Sequence, residues 1–62
     1  MKDHDLADAV SRLIQSEKDI RSKCQRLLSL SSDESEIQAY EAVIRSKDRC
    51  ILELSKIFEL LS

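Results

Sequence analysis

The segment SLSSDESE, residues 29–36, is the one interruption in a sequence that otherwise repeats apolar residues at helical spacing. Serine and aspartate are common in turns and at helix N-caps, because their short side chains form hydrogen bonds with the local backbone. Asp33 and Glu36 have the spacing of a capping box, with aspartate in place of the usual serine or threonine. The segment therefore predicts a turn over about residues 31–33, with one helix on each side.

After the turn, apolar residues recur in alternating steps of three and four, which is the spacing of a heptad seam. The members of this seam are Ile37, Tyr40, Ile44, Lys47, Ile51, Leu54, Phe58 and Leu61. Lys47 is its one charged member. The pattern predicts a helix over about residues 34–61.

A similar seam precedes the turn and predicts a first helix over about residues 5–30. Its predicted members are Leu6, Val10, Leu13, Glu17, Ile20, Cys24 and Leu27. Glu17 is the one charged member, and Ile14 and Leu28 widen the apolar stripe on one side.

A short turn between two such helices favours an antiparallel hairpin. In that register Leu6 faces Phe58, and Glu17 faces Lys47 with opposite charge. We predict that this pair specifies the register; the alternative is that both side chains reach into solvent and interact weakly. The predicted fold class is thus an all-α, coiled-coil-like hairpin of two antiparallel helices. One continuous bent helix in an intermolecular coiled coil is the competing arrangement.

The length and composition favour a single small helical domain, residues 1–62. The chain has no glycine and no proline, so it lacks the residues on which many-turned β folds depend. A chain of this size buries only about 60% of its unfolded surface and is marginally stable alone. We therefore expect it to associate with a partner or into a larger helical bundle.

The charge and hydropathy patterns point away from nucleic acid and membranes. The net charge is −2, with acids and bases interspersed, so no basic face is expected to bind nucleic acid. Apolar runs are far shorter than the roughly 20 residues of a membrane span. The polar start, residues 1–5, lacks the apolar core of a signal peptide. These features predict a cytoplasmic protein without membrane insertion.

Residues with catalytic or ligand-binding chemistry are few. The single histidine, His4, stands near the N-terminus, and Cys24 and Cys50 have no second cysteine or histidine at zinc-ligand spacing. In the predicted register the two cysteines are too far apart for a disulfide. The sequence therefore predicts no metal, no cofactor and no enzymatic activity.

A second apolar row on the second helix predicts a surface for a protein partner. Val43, Cys50 and Ile57 stand seven residues apart, and we predict that they bind the partner with Ile14 as a flank. Leaving such side chains in water forgoes about 1.5–3 kcal/mol for each one. The alternative is that the helices cross at an angle and cover these residues themselves.

Three functions fit this architecture. The first is an adaptor or co-chaperone that docks on a helical protein, and the second is a self-associating four-helix bundle such as a homodimer. The third, a small RNA-binding bundle, is least favoured because every helix face carries acids.

The second helix opens with EIQAY, residues 36–40, and has an apolar continuation from EAVI, residues 41–44, to Phe58. These stretches show a resemblance to the second helix of the YscE-like family, the small co-chaperones of type III secretion needle subunits. The resemblance implies a cytoplasmic hairpin that pairs with a second chaperone built of helical repeats. Together the two would keep a needle subunit from polymerising prematurely.

Overall fold

The computed structural model describes residues 3–62 as two helices, α1 (His4–Leu30) and α2 (Glu34–Leu61). Met1 and Lys2, which belong to the polar start noted above, lie outside the described residues. The predicted all-α hairpin is confirmed: α1 and α2 pack against each other, and no strand occurs within residues 3–62. α1 begins one residue earlier than the sequence predicted.

Aspartate caps the start of both helices. The Asp3 carboxylate accepts a hydrogen bond from the Leu6 backbone N–H at 3.0 Å, and the Asp33 carboxylate accepts one from Glu36 N–H at 3.4 Å. The reciprocal half of the capping box, from the Glu36 side chain to the Asp33 backbone, is not among the hydrogen bonds of residues 3–62. The cap on α2 therefore rests on Asp33, and it directs the chain out of the turn into the second helix.

Two contacts across the hairpin fix the antiparallel register. The Asp3 backbone N–H donates to the Leu61 carbonyl at 3.0 Å at the open end. Near the middle, Lys47 Nζ lies 2.9 Å from Glu17 Oε2. The result is a rod with principal extents of 49 × 14 × 10 Å, in which Ala7, 4% exposed, is the one buried residue among those described. The interface between the helices is a half-buried strip, not an enclosed core.

The α2 side of this interface has the predicted composition. Every predicted seam residue of α2, from Ile37 to Leu61, is half-buried and lies towards α1. We call these eight residues the inner seam of α2.

The α1 side differs from the prediction by a rotation of one residue. The inner seam of α1 consists of Ala7, Val10, Ile14, Glu17, Arg21, Cys24 and Leu28. Four predicted seam residues are instead exposed: Leu6 by 53%, Leu13 by 52%, Ile20 by 40% and Leu27 by 46%. The prediction was wrong at these four positions, since each seam contact is made by the following residue.

The error arises because α1 carries two overlapping heptads that share Val10, Glu17 and Cys24. One residue corresponds to a rotation of about 100°, so the shared positions fit either seam. The observed choice puts small Ala7 at the level of bulky Phe58 and brings Arg21 within reach of α2. The observed seam thus matches volume and charge across the interface, and it leaves the more hydrophobic row exposed.

Candidate functional site

α1 presents an uninterrupted apolar row to solvent. Leu6, Leu13, Ile20 and Leu27 stand seven residues apart along the helix, and each is at least 40% exposed. A spacing of seven keeps side chains on one helical face, so the four form one continuous strip. We call it the α1 outer row; the sequence had placed these residues inside the hairpin.

α2 presents a second, less uniform row. Val43 is 38% exposed, Ile57 is 44% exposed, and Cys50 between them is half-buried. These are the three α2 residues that the sequence predicted for partner binding, and we call them the α2 outer row. Ile14, the predicted flank, is half-buried within the inner seam of α1 and does not belong to this surface.

Both outer rows lie on the same side of the hairpin. Each outer-row residue directly precedes an inner-seam residue, as Leu13 precedes Ile14 on α1 and Cys50 precedes Ile51 on α2. Stepping back one residue rotates the side chain by about 100° in a fixed sense. Because the two helices are antiparallel and face each other, the same step turns both rows towards one side. We call this apolar side, made of the two outer rows, the outer side.

The opposite side of the hairpin is polar apart from Leu52, which directly follows Ile51 and is 56% exposed. The side chains turned to that side include those directly after Val10, Glu17 and Cys24 on α1 and directly after Tyr40, Lys47 and Leu54 on α2. These residues are Ser11, Lys18, Gln25, Glu41, Asp48 and Ser55. The hairpin is therefore amphipathic as a whole.

The predicted register pair stands at the centre of the helix–helix interface. Glu17 and Lys47 are 18% and 26% exposed, and the 2.9 Å contact is at hydrogen-bonding distance although Glu17 Oε2 is not well aligned with a donor. Hydrogen bonding and attraction by Glu17 raise the pKa of the Lys47 ammonium above its ordinary 10.5, and desolvation opposes the rise. The pKa of Lys47 is raised whether or not the contact is a well-aligned hydrogen bond, because a nearby carboxylate favours the charged ammonium.

A second ion pair lies one turn away, at the polar edge of the interface. Arg21 Nη1 donates to Asp48 Oδ1 at 2.8 Å, and Arg21 Nε is buried without a hydrogen-bond partner among the described residues. Sequence reasoning missed this pair because it placed Ile20 in the seam instead of Arg21. The available signal was the seven-residue repeat that runs through Ile14, Arg21 and Leu28.

Other kinds of site are not formed by residues 3–62. No cluster of histidine, cysteine and acidic residues is arranged to hold a metal ion, and no pocket is formed. Cys24 and Cys50 are both free thiols. Neither helix is long and apolar enough to cross a membrane.

The chain was compared with protein-family models, with curated proteins and with solved structures, and none of the three comparisons finds a match. The resemblance of α2 to the YscE-like co-chaperones stays a prediction that rests on the residues quoted for it.

Proposed function

We propose that this chain is a non-enzymatic protein-binding adaptor whose outer side docks on helices of another polypeptide. The supporting observation is that two apolar rows at heptad spacing share one side of a hairpin whose other side is polar except at Leu52. Heptad spacing is what a helix presents to a neighbouring helix, so the expected partner surface is itself helical.

The energetics favour burial of this side. The large outer-row side chains are roughly half exposed, so covering each contributes about 1 kcal/mol, half of the value for full burial. Six such residues together contribute on the order of 6 kcal/mol, comparable with the lower estimates for the entropy lost on association. Docking that uses both rows is therefore favoured over docking that uses either alone.

The resemblance to needle-subunit co-chaperones gives a narrower version of the proposal. In that version the outer side covers apolar surface on a helical-repeat chaperone, and the complex holds a needle subunit in the cytoplasm. Co-expression with a candidate repeat chaperone from the same genome tests it. The adaptor should keep that chaperone soluble, and a Val43→Glu/Ile57→Glu variant should not.

Affinity capture with matched variants tests the general proposal. The tagged chain is used to capture proteins from its native host, in parallel with Val43→Glu/Ile57→Glu on the outer side and Ser11→Glu/Gln25→Glu on the polar side. We expect a protein that binds the wild type and the polar-side variant but not the outer-side variant. Each double variant adds the same charge, so the difference reports the surface and not the net charge.

Circular dichroism of the three proteins completes the test. All three should keep their helicity, because the substituted residues lie outside the inner seam. Equal capture by both double variants would contradict the proposal. Loss of helicity in the outer-side variant would show that Val43 and Ile57 stabilise the hairpin itself.

A further inference from the structure

A row of alternating charges follows the α1 outer row along its full length. Asp5, Arg12, Asp19 and Arg26 each stand directly before an outer-row residue, seven positions apart, and all four are exposed. Because each lies one position before an outer-row residue, its side chain is rotated further from α2. The four charges therefore flank the apolar row on its solvent side. The outer row of α1 is therefore a second apolar row at heptad spacing, with charges at its edge.

This row of charges is complementary to the same row on an antiparallel copy of α1. If a second copy of α1 lies antiparallel on the first, Asp5 stands opposite Arg26 of the second copy and Arg12 stands opposite Asp19. The apolar row pairs within two residues of this register, with Leu6 opposite Leu27 of the second copy and Leu13 opposite Ile20. The charged pairings centre just before Ser16 and the apolar pairings just after it, and the small side chain of Ser16 permits close approach of the two helices.

The charges are available for such pairing. Asp5, Arg12 and Arg26 form no ion pair with any other residue in the described part of the chain. Asp19 accepts a hydrogen bond from Gln15 Nε2 at 3.0 Å, one turn away on the same helix, and remains exposed.

α2 lacks this property. The residues directly before its outer row are Ala42, Arg49 and Lys56, a flank without an acid. An antiparallel copy of α2 centred on Cys50 would place Arg49 beside Arg49 of the second copy. The charges beside the outer row are therefore self-complementary on α1 and not on α2.

We infer that the outer side of the free hairpin is covered by a second copy of the same chain, with the two α1 helices antiparallel across a two-fold axis near Ser16. This inference rests on the proposed function, because it names an occupant of the same apolar side. It joins two hairpins into a four-helix arrangement with both polar sides facing outward.

Sedimentation velocity with charge variants tests the pairing. The wild type should sediment as a dimer that dissociates on dilution. Arg12→Glu changes two attractive pairs per dimer into repulsive ones and should raise the dissociation constant about tenfold, whereas the swap Arg12→Glu/Asp19→Arg should restore it. Lys18→Glu makes the same change in charge on the polar side and should leave the dissociation constant unchanged.

Cross-linking tests the position of the axis. In a background with Cys24→Ala and Cys50→Ala, Ser16→Cys should be joined to its own copy by a short bis-maleimide reagent. Ser11→Cys, on the polar side of the same helix, should not. A dimer that cross-links equally at both positions would overturn the proposed arrangement. A dissociation constant that Arg12→Glu leaves unchanged would also overturn it.

A wild type that stays monomeric at every concentration would overturn the inference outright, and an apolar fluorescent dye then separates it from the proposed function. Dye binding to the wild-type monomer that is reduced in Leu13→Glu/Ile20→Glu would leave the outer side open for a different protein, so the proposed function would stand. A monomer that binds no dye would contradict both.

Discussion

α1 and α2 divide their apolar residues in opposite ways. α2 turns its largest residues inward, with Ile44, Ile51 and Phe58 in the inner seam, and its outer row includes the smaller Cys50. α1 turns a smaller and more polar set inward, including Ala7 and Arg21. Its uniform row of leucine and isoleucine faces solvent.

This difference shows that the hairpin covers the large apolar residues of α2 and leaves those of α1 exposed. The small side chains of the α1 inner seam let the helices approach closely against the larger side chains of α2. The more hydrophobic row of α1 is thereby left uncovered. For a lone hairpin the arrangement forgoes stability, whereas for a subunit of a larger helical assembly it creates a second interface.

The largest expected effect separates two neighbouring residues of α1. Ile14→Ala removes a half-buried seam side chain and should lower the free energy of unfolding by about 1–3 kcal/mol. Leu13→Ala removes one that is 52% exposed and should lower it by about 1 kcal/mol or less in dilute protein. Urea unfolding followed by circular dichroism measures both.

Protein concentration sharpens this comparison. If a second copy covers the outer row, the cost of Leu13→Ala should grow as the protein is concentrated, whereas the cost of Ile14→Ala should already be present in the monomer. An equal cost for the two substitutions in dilute protein would mean that the inner and outer rows are not distinct.

The next effect concerns the pair at the centre of the inner seam. Glu17→Lys or Lys47→Glu places like charges in contact within the interface, and each should destabilise the hairpin by less than Ile14→Ala does. The swap Glu17→Lys/Lys47→Glu should recover most of the loss, because the opposite charges face each other again. A swap that is no more stable than the single variants would show that the two side chains act independently and do not specify the register.

The sequence was sufficient to predict the hairpin, the turn and the inner seam of α2, because each depends on local signals that agree with one another. Asp33 starts a helix by its own chemistry. The heptad from Ile37 to Leu61 has apolar residues at both seam positions of nearly every repeat, whereas the second apolar row of α2 has one per repeat, so the face directed at α1 is unambiguous. The contact between Glu17 and Lys47 was also predictable, since both residues interrupt their seams at one level of the antiparallel register.

The rotation of α1 was not predictable in the same way. Two heptads of similar quality overlap there, and the choice depends on what stands across the interface, such as Phe58 near Ala7 and Asp48 near Arg21. Complementary volume and charge between helices are tertiary properties that periodicity does not report. Consequently the sequence identified the α2 outer row, whereas it assigned the α1 outer row to the interior.

A smaller effect is expected at the polar edge of the interface. Asp48 is 53% exposed and its partner Arg21 is 31% exposed, so water and salt screen their attraction. Asp48→Asn should therefore lower the free energy of unfolding by only about 0.5 kcal/mol, and the loss should shrink further in concentrated salt. A loss as large as that of Ile14→Ala would mean that Arg21 is held in the seam chiefly by this carboxylate.

The smallest effect is a dependence on alkaline pH that separates the central pair from the apolar seam. The folded-state pKa of Lys47 is raised above its ordinary 10.5, so its ammonium contributes stability in full below that value. The contribution is lost as the pH rises through the higher folded-state value, because the folded chain then gives up the proton that favoured it. The free energies of unfolding of the wild type and Lys47→Met should thus differ by a constant amount near neutral pH. The difference should shrink as the pH rises above 10.5. The difference between wild type and Ile14→Ala should stay constant over the same range, since no proton is involved in that contact. A difference for Lys47→Met that does not change with pH would show that the aliphatic part of the side chain, and not its charge, is what the inner seam uses.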